Sequence, residues 1–329
     1  MPFQISIIAP TFKRMDRLPA FLRAAEAMRG AVIEIIICNR PDDDPETAVW
    51  LRAERPAHPR WRLVPVREPG LVAALNAGLA IAQGDIIAVF DDDTLPARDW
   101  LEVITPHFRR PDVGAVGGRD IVHGANGPIT TPRARRAGYR DFWGNIVGGH
   151  HLVVGEPRPV EVLKGCNMAF RAAALGTLRF DDRLLGKGAQ IANDSWFCLN
   201  LRRHQWTIIL DPAAIVDHFP GYKPDYAHGA WGREKCFDWT ANYVASRLAY
   251  AKPTRRLKFM VYSIFVGHRY CPGIYYLIHS AAKKPAALAG QLGGGWAGFL
   301  RGWRMSYDFE RAPPGRPNPP ARPTFSAPS

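Results

Sequence analysis

Apolar residues in the first half of the chain fall into short unbroken runs separated by segments of helical spacing. The runs Ile5–Ala9, Ile33–Cys38, Arg62–Val66, Asp85–Phe90 and Gly114–Val116 predict strands. Between the first two, Leu18, Phe21, Leu22 and Ala25 recur at helical spacing, with Pro19 in a first turn where a missing N–H is harmless. Leu71, Ala74, Leu75, Gly78 and Leu79 repeat that pattern between the third and fourth runs. Strands alternating with helices imply βαβ units and a mostly parallel sheet, an α/β fold. Unbroken runs such as Ile35-Ile36-Ile37 imply strands buried on both faces.

The pattern loosens after Gly118. Residues 119–160 are rich in Gly, Pro, Arg and His and are long for a plain connection, which predicts a functional or partly ordered segment. Structure is expected again over Val162–Arg171, in a helix near Asn193–His204, and in two short strands, Thr207–Leu210 and Ala214–Val216. Trp231 to Phe309 is helical in character and rich in Trp, Tyr, Lys and Arg. The Pro-rich segment 312–329 reads as a disordered tail.

Charge divides the chain unevenly. The formal net charge is +13, and Arg233 to Ser329 holds 15 Lys and Arg against 4 Asp and Glu. The basic character therefore belongs to the last third, whose partner would be an anionic lipid, a nucleic acid or an acidic substrate. No nucleic-acid recognition motif accompanies it. The five cysteines are widely spaced and form no C-x-x-C pair, which argues against a disulfide framework or a zinc site and for a reducing compartment. No basic leader precedes Ile5, and no apolar stretch reaches the ~18 residues of a membrane span. A cytoplasmic protein is expected.

The chemistry concentrates where the run Ile86-Ile87-Ala88-Val89-Phe90 ends in Asp91-Asp92-Asp93. Ligands of open α/β sheets bind beyond the carboxyl ends of the strands. Three carboxylates there repel one another unless a cation compensates, and oxygen ligands suit Mg²⁺ or Mn²⁺. A solvated acidic turn leading into the next helix is the plainer alternative.

Here the chain resembles the family-2 glycosyltransferases of the GT-A fold. The resemblance rests on Asn76-Ala77-Gly78, Ala82-Gln83-Gly84-Asp85, the apolar strand and Asp91-Asp92-Asp93, taken in order. Ile7-Ile8-Ala9-Pro10-Thr11-Phe12-Lys13-Arg14 looks like the family's opening strand and loop. Leu163-Lys164-Gly165-Cys166-Asn167-Met168-Ala169-Phe170-Arg171 looks like its acceptor-side segment. The resemblance covers about residues 4–220. It implies residues 1–230 as the transferase domain, with a nucleotide-sugar half to about 118 and an acceptor half from 119, then a helical basic extension over 231–311. It implies metal-assisted, inverting transfer from a nucleotide-diphosphate sugar. Asp93, Asp91 and His218 would meet the metal. Pro10, Thr11, Phe12, Arg14, Asn39, Asp42, Asn76, Asp91, Asp92 and Arg233 would meet the nucleotide sugar. Gly165, Asn167 and Trp196 would lie on the acceptor side.

Two positions depart from the family pattern. Asn39 stands where the family has a base-contacting Asp, a role Asp42 is also placed to fill. Asn193-Asp194 stands in place of Glu-Asp, which leaves Asp194 as the base that takes the acceptor's proton. Asn, Asp and Ser also favour helix starts on structural grounds alone. Asp181 and Asp182 are the next carboxylates in line. Arg233 and Lys235 would close over the diphosphate from a mobile loop.

Basic residues interleave with aromatics after Arg255, as suits a helix lying in a membrane interface. A glycan or lipid-linked acceptor and peripheral binding to the anionic inner face of the cytoplasmic membrane are expected. The competing readings are a non-catalytic or nucleotidyltransferase-like nucleotide-binding protein of the same fold, and a basic membrane adaptor.

Overall fold

The computed structural model describes every residue except 1, 125, 130–135, 187, 221–231, 269, 284, 314 and 317–329, with backbone alone at 280–283 and 285–290. Its first half consists of β1 (Ile5–Thr11), α1 (Leu18–Ala27), β2 (Val32–Asn39), α2 (Pro45–Glu54), β3 (Trp61–Pro65), α3 (Leu71–Ile81) and β4 (Ile86–Val89). These strands pair in parallel in the order β3-β2-β1-β4. Their side chains alternate between two cores. Ile8, Ile36 and Cys38 pack with α3, while Ile7, Ala9, Ile35 and Ile37 pack with α1. Both faces are covered, which is why the runs read as continuous rather than alternating.

The second half adds β5 (Thr94–Pro96), α4 (Trp100–Ile104), β6 (Val113–Gly124), β7 (Gly127–Pro128), β8 (Tyr139–Arg140), β9 (Ile146–Val147), β10 (Arg158–Val160), β11 (Met168–Arg171), α5 (Ala172–Leu175), α6 (Asn193–Arg203) and β12 (Thr207–His218). β11 lies antiparallel between β4 and β6, and β12 runs parallel to β6. The carboxyl ends of β1, β2, β4, β6 and β12 therefore share one edge of the sheet.

Two strands differ from the sequence expectation. β6 continues past Val116 to Gly124, into the segment whose composition had suggested a loop. The strands expected at 207–210 and 214–216 are one strand, β12, irregular between Asp211 and Ile215. Gly118 permits that irregularity, since a Cβ there would stand 1.8 Å from the Ala214 carbonyl oxygen.

The chain closes with α7 (Arg233–Leu248), α8 (Pro253–Val261), a π-helical turn at Tyr262–Val266, α9 (Ile274–Lys283) and α10 (Pro285–Arg311). Among the described residues no helix is long and apolar enough to cross a membrane. The expected Pro-rich tail lies mostly outside the described residues. All five cysteines are buried and free.

Candidate active site

The edge formed by the strand carboxyl ends gathers most of the residues singled out in the sequence. Pro10 and Thr11 are the last residues of β1, opposite Cys38 and Asn39 of β2. Phe12 is 45% exposed, with Lys13 and Arg40 over its ring at 5.1 and 5.6 Å. Asn39 donates to Asp44 at 3.0 Å, and Asp44 also accepts from the Lys13 N–H at 2.6 Å. Asp44 caps α2 through the Thr47 N–H. Asp42 is exposed and takes no part in this network.

The aspartates follow directly from β4. Asp92 and Asp93 are buried. Arg14 reaches back from the loop after β1, bonding Asp93 Oδ2 and standing 3.5 Å from Asp92 Oδ1. His218, the last residue of β12, presents Nε2 at 3.5 Å from Asp93 Oδ1, too far for a hydrogen bond of good geometry. That buried Oδ1 has no hydrogen-bond partner among the described residues. On its other side, His218 Nδ1 lies 3.4 Å from Asp120 Oδ2, and Lys164 also bonds Asp120.

The electrostatics show a site short of positive charge. Desolvation and then the charge of Asp93 push Asp91 up to about 6. Desolvation pushes Asp92 up to about 7, although the Thr11 hydroxyl pulls the other way. Burial alone would lower His218, but its hydrogen bond to Asp120 and the Asp93 carboxylate 3.5 Å from its other nitrogen outweigh it and raise the imidazole to about 12. The same hydrogen bonding, with Lys164, holds Asp120 well below the usual carboxylate range despite its burial. Asp91, Asp92 and His218 are all driven upward, whereas Asp93 is held down by His218 and Arg14. The upward shifts report an excess of negative charge that a cation would offset.

The residues present fit a divalent ion. Asp91, Asp93 and His218 each offer a ligand atom within 4.8 Å of the others, and the orphaned Asp93 Oδ1 stands 3.5 Å from His218 Nε2. Two carboxylates and one imidazole leave positions for water or phosphate oxygens, as six-coordinate Mg²⁺ or Mn²⁺ requires. Asp120, Cys166 and His218 form a second cluster of similar size. Asp120 is already tied to Lys164, so its contact with Nδ1 reads as the carboxylate that orients a metal-binding imidazole.

Asp194 lies in the first turn of α6, after Ala192 in a left-handed conformation with φ 70°. Its Oδ2 accepts from the Gly165 N–H at 3.1 Å, and its Oδ1 accepts from the Ser195 N–H at 2.6 Å. The charge of Asp194 is felt at Asp91. Asn193 is buried and donates to the carbonyls of Ala189 and Gln190, bracing the turn.

Other residues singled out in the sequence lie away from the aspartate edge. Asn167 is 1% exposed, and its amide accepts from Trp100 and donates to the carbonyls of Arg119 and Ala214, so it braces strands instead of facing an acceptor. Trp196 is 2% exposed, with its indole N–H on Asp181 and its ring stacked 4.9 Å from Phe309. It is core. Asp181 is 1% exposed and holds both Trp196 and Arg183, which removes it as a reserve base. Both arms of the Asn76 amide are engaged with the backbone of Phe180, not with the edge. Arg233 and Lys235 begin α7 rather than lying in a loop, and Lys235 is buried; the segment before them, 221–231, lies outside the described residues. Sequence reasoning missed Asp44, the last of the run Asp42-Asp43-Asp44 in which Asp42 had been singled out, and Asp120, a single acid with no neighbouring motif.

Comparison with known proteins follows the same lines. The family model described as glycosyl transferase family 2 matches residues 6–179. An uncharacterised protein of Sinorhizobium fredii is 30% identical over 159 residues, 46% of this chain and 16% of that protein. The beta-monoglucosyldiacylglycerol synthase of Trichormus variabilis is 39% identical over 74 residues, 22% of this chain and 16% of that protein. The chain thus spans 16% of the length of each of these two curated relatives. Among solved structures, a mannosyltransferase from Pyrobaculum calidifontis in complex with GDP-Man and Mn²⁺ superposes with a TM-score of 0.56 at 18% identity, covering 94% of this chain and 88% of that one. That likeness is one of fold, the GT-A arrangement of a mostly parallel sheet.

Proposed function

The chain belongs to glycosyl transferase family 2, and on that footing we propose that it moves a sugar from a nucleotide-diphosphate donor to an acceptor hydroxyl, with Mg²⁺ or Mn²⁺ at Asp91, Asp93 and His218 and Asp194 as base. One observation carries the reading. Ligand atoms following β4 and ending β12 lie within 4.8 Å of one another, a buried oxygen of Asp93 has no hydrogen-bond partner among the described residues, and the charge of a carboxylate at the start of α6 is felt at Asp91.

The residues divide the work. Phe12 offers an exposed ring face to a nucleotide base, and Asn39 lies beside it at the end of β2. A bound divalent ion would neutralise the charge that grows on the diphosphate leaving group. Arg14 adds a fixed positive charge beside Asp92 and Asp93. Asp194 takes the acceptor's proton as the acceptor oxygen bonds to the anomeric carbon. The bond from that carbon to the diphosphate oxygen breaks on the opposite face, leaving its electron pair on the nucleoside diphosphate, and configuration inverts. The Gly165 and Ser195 N–H groups hold Asp194 in place, and Asp120 holds His218.

The acceptor in this reading is a lipid-linked or cell-envelope glycan, approached from the cytoplasmic face of the membrane. The lipid in the name of the Trichormus variabilis relative and the basic last third of this chain support it.

Thermal shift with a panel of nucleoside diphosphates, with and without Mn²⁺, tests the donor site, since a ligand of the folded state raises the melting temperature. Binding should need the metal, and Asp93→Ala should remove most of it. Equal affinity with and without chelator rules the metal site out. Asp194→Asn should slow transfer about 10²–10⁴-fold at saturating substrates while donor binding persists. Near-normal turnover would remove Asp194 from the role. Release of pyrophosphate instead of nucleoside diphosphate would point to a nucleotidyltransferase.

A further inference from the structure

A second charged feature lies away from the strand edge. Between α6, α8 and the β8–β9 turn is a cleft of about 570 Å³. Its cations are Arg140, Arg202, Arg203, Lys252, Arg255 and Lys258. Only two carboxylates line it, Asp141 and Glu161. Glu161 is already held by Arg140 at 2.8 and 3.0 Å. Arg203 lies 3.5 Å over the Tyr250 ring and Lys258 3.7 Å over the Phe142 ring, so both are anchored by aromatics rather than by acids. The side chains of Lys252 and Arg255 are exposed and make no ion pair among the described residues. Unneutralised cations facing one concavity repel one another, and such an arrangement persists at least cost when an anion occupies it.

Two further observations say what kind of anion. First, the cleft has an apolar lip. Phe142 is 66% exposed and touches Trp143, whose ring lies 5.9 Å from Tyr262. Leu257, Val261 and Phe265 follow at four-residue spacing along α8 and the π-helical turn, 63%, 40% and 59% exposed. A stripe of exposed apolar side chains beside Arg255 and Lys258 suits an amphiphile, with its charged head in the cleft and its chain along the stripe. Second, the cleft is lined by the same helix that carries the proposed base, through Leu199, Arg202 and Arg203 of α6. Arg247 of α7 is 7% exposed, has no hydrogen-bond partner for its Nε among the described residues, and lies within electrostatic reach of both Arg140 and Asp194. A buried guanidinium with no carboxylate partner among the described residues is thus coupled electrostatically both to a cation of the cleft and to the proposed base.

We infer that the cleft between α6 and α8 binds the phosphate-bearing head group of a membrane amphiphile whose apolar part lies on the Leu257–Phe265 stripe. Guanidinium forks match phosphate and carboxylate oxygens alike in pairs, but several cations around one concavity favour a phosphate monoester, with its greater charge and third free oxygen, over a lone carboxylate. This rests on the membrane reading above and adds to it a site with a defined chemistry. It places an anionic group on the acceptor side of Asp194, separate from the diphosphate position at Asp91 and Asp93.

Flotation with phosphatidylcholine vesicles containing either phosphatidic acid or oleate at matched surface charge tests it. A parallel titration uses inorganic pyrophosphate in the presence of EDTA, which keeps the aspartate site from contributing through metal. Phosphatidic acid vesicles should bind more tightly than oleate vesicles, and binding should weaken as salt rises. Lys252→Ala/Arg255→Ala should lose about tenfold or more of the phosphatidic acid binding and fall to the oleate level. Both positions are exposed, so the fold should hold, and unchanged metal-dependent nucleotide binding would show it. Arg255→Glu should weaken binding as well. Wild-type binding by the double variant overturns the cleft assignment while leaving membrane association standing. Failure of the wild type to float with either vesicle overturns the membrane reading and this inference together. Pyrophosphate binding that the double variant loses, without any preference for phosphatidic acid over oleate, overturns the lipid source and leaves a site for free phosphate. Asp194→Asn should float like wild type, which separates loss of chemistry from loss of this site.

Discussion

Glu34 stands in the middle of an apolar strand, where a carboxylate has no use visible from sequence. The structure gives it donors from the Ser6 hydroxyl, the Arg62 guanidinium and the Gln83 N–H. Those contacts fasten the turn that leads into β4, and therefore the aspartates beyond it. Burial alone would raise this carboxyl, but the hydrogen bonds from Ser6 and Arg62 outweigh it and hold it below the usual glutamate range. A depressed folded value means that the stabilisation is present above the unfolded value near 4.5 and is lost as pH falls through the folded one. Glu34→Gln should therefore cost about 1–3 kcal/mol at pH 7, with the gap to wild type closing below about pH 4. Urea denaturation at several pH values measures this, and a gap that stays constant into acid would show that the charge is not what matters. The same contrast explains which site residues were legible. Asp91 to Asp93 announce themselves as consecutive charges ending an apolar run. Asp44 ends a second aspartate run, Asp42-Asp43-Asp44, in which no letter marks the last as the buried one, and Asp120 is a single letter. Their roles depend on Lys13, 31 residues away, and His218, 98 residues away. Asn167 and Trp196 sit in a motif-like segment, yet burial, which no local pattern reveals, commits them to bracing and core.

At the level of elements, the parallel strands and the helices between them were legible because each carries a complete period of its own. The continuation of β6 was not, because Gly117-Gly118-Arg119-Asp120 lacks the apolar side chains that mark a strand. There Gly118 serves backbone approach to β12 and Gly117 close approach to Leu163 and the Asn167 carbonyl, and Asp120 faces the site. The last helix shows a similar economy. Gly294, Gly298 and Gly302 recur every four residues along α10, and a Cβ on each would stand 2.2–2.5 Å from the carbonyl oxygens of Arg233, Phe237 and Ala241 on α7. The two helices run side by side in the same direction, backbone against backbone. Glycine inside a helix costs about 1 kcal/mol relative to alanine, so the close approach has to outweigh that penalty at each position. Gly298→Leu should lose about 1–3 kcal/mol through overpacking, read as a lower urea midpoint at unchanged slope. Gly298→Ala should lose less, because the gain in helix propensity offsets part of the clash. If Gly298→Leu leaves the midpoint where it was, the contact of α7 with α10 is not under the constraint described.

On the scale of the whole molecule, the basic last third is joined to the α/β half by shared core as well as by sequence. Ala241, Ala245, Ala249, Met305 and Phe309 belong to the same buried cluster as Ile8, Phe170 and Leu201. Trp196 of α6 is stacked on Tyr250 at 5.8 Å and on Phe309 at 4.9 Å. The Asn242 amide on α7 meets both the N–H and the carbonyl of Leu185, and Arg183 donates to the Asp308 carbonyl. Fully burying one large apolar side chain contributes about 1.5–3 kcal/mol, and a domain's whole stability is about 5–15 kcal/mol. Uncovering Trp196 and its neighbours would therefore remove a large share of that margin. The intact chain should unfold in one transition that tryptophan fluorescence and far-UV circular dichroism follow together. Deleting residues 232–329 should leave a fragment that binds a hydrophobic dye, aggregates and fails to bind nucleoside diphosphate with Mn²⁺, even though every proposed metal ligand is retained. A soluble, nucleotide-binding fragment, or two separate transitions in the intact chain, would instead make the helices an appendage whose work is confined to the membrane surface.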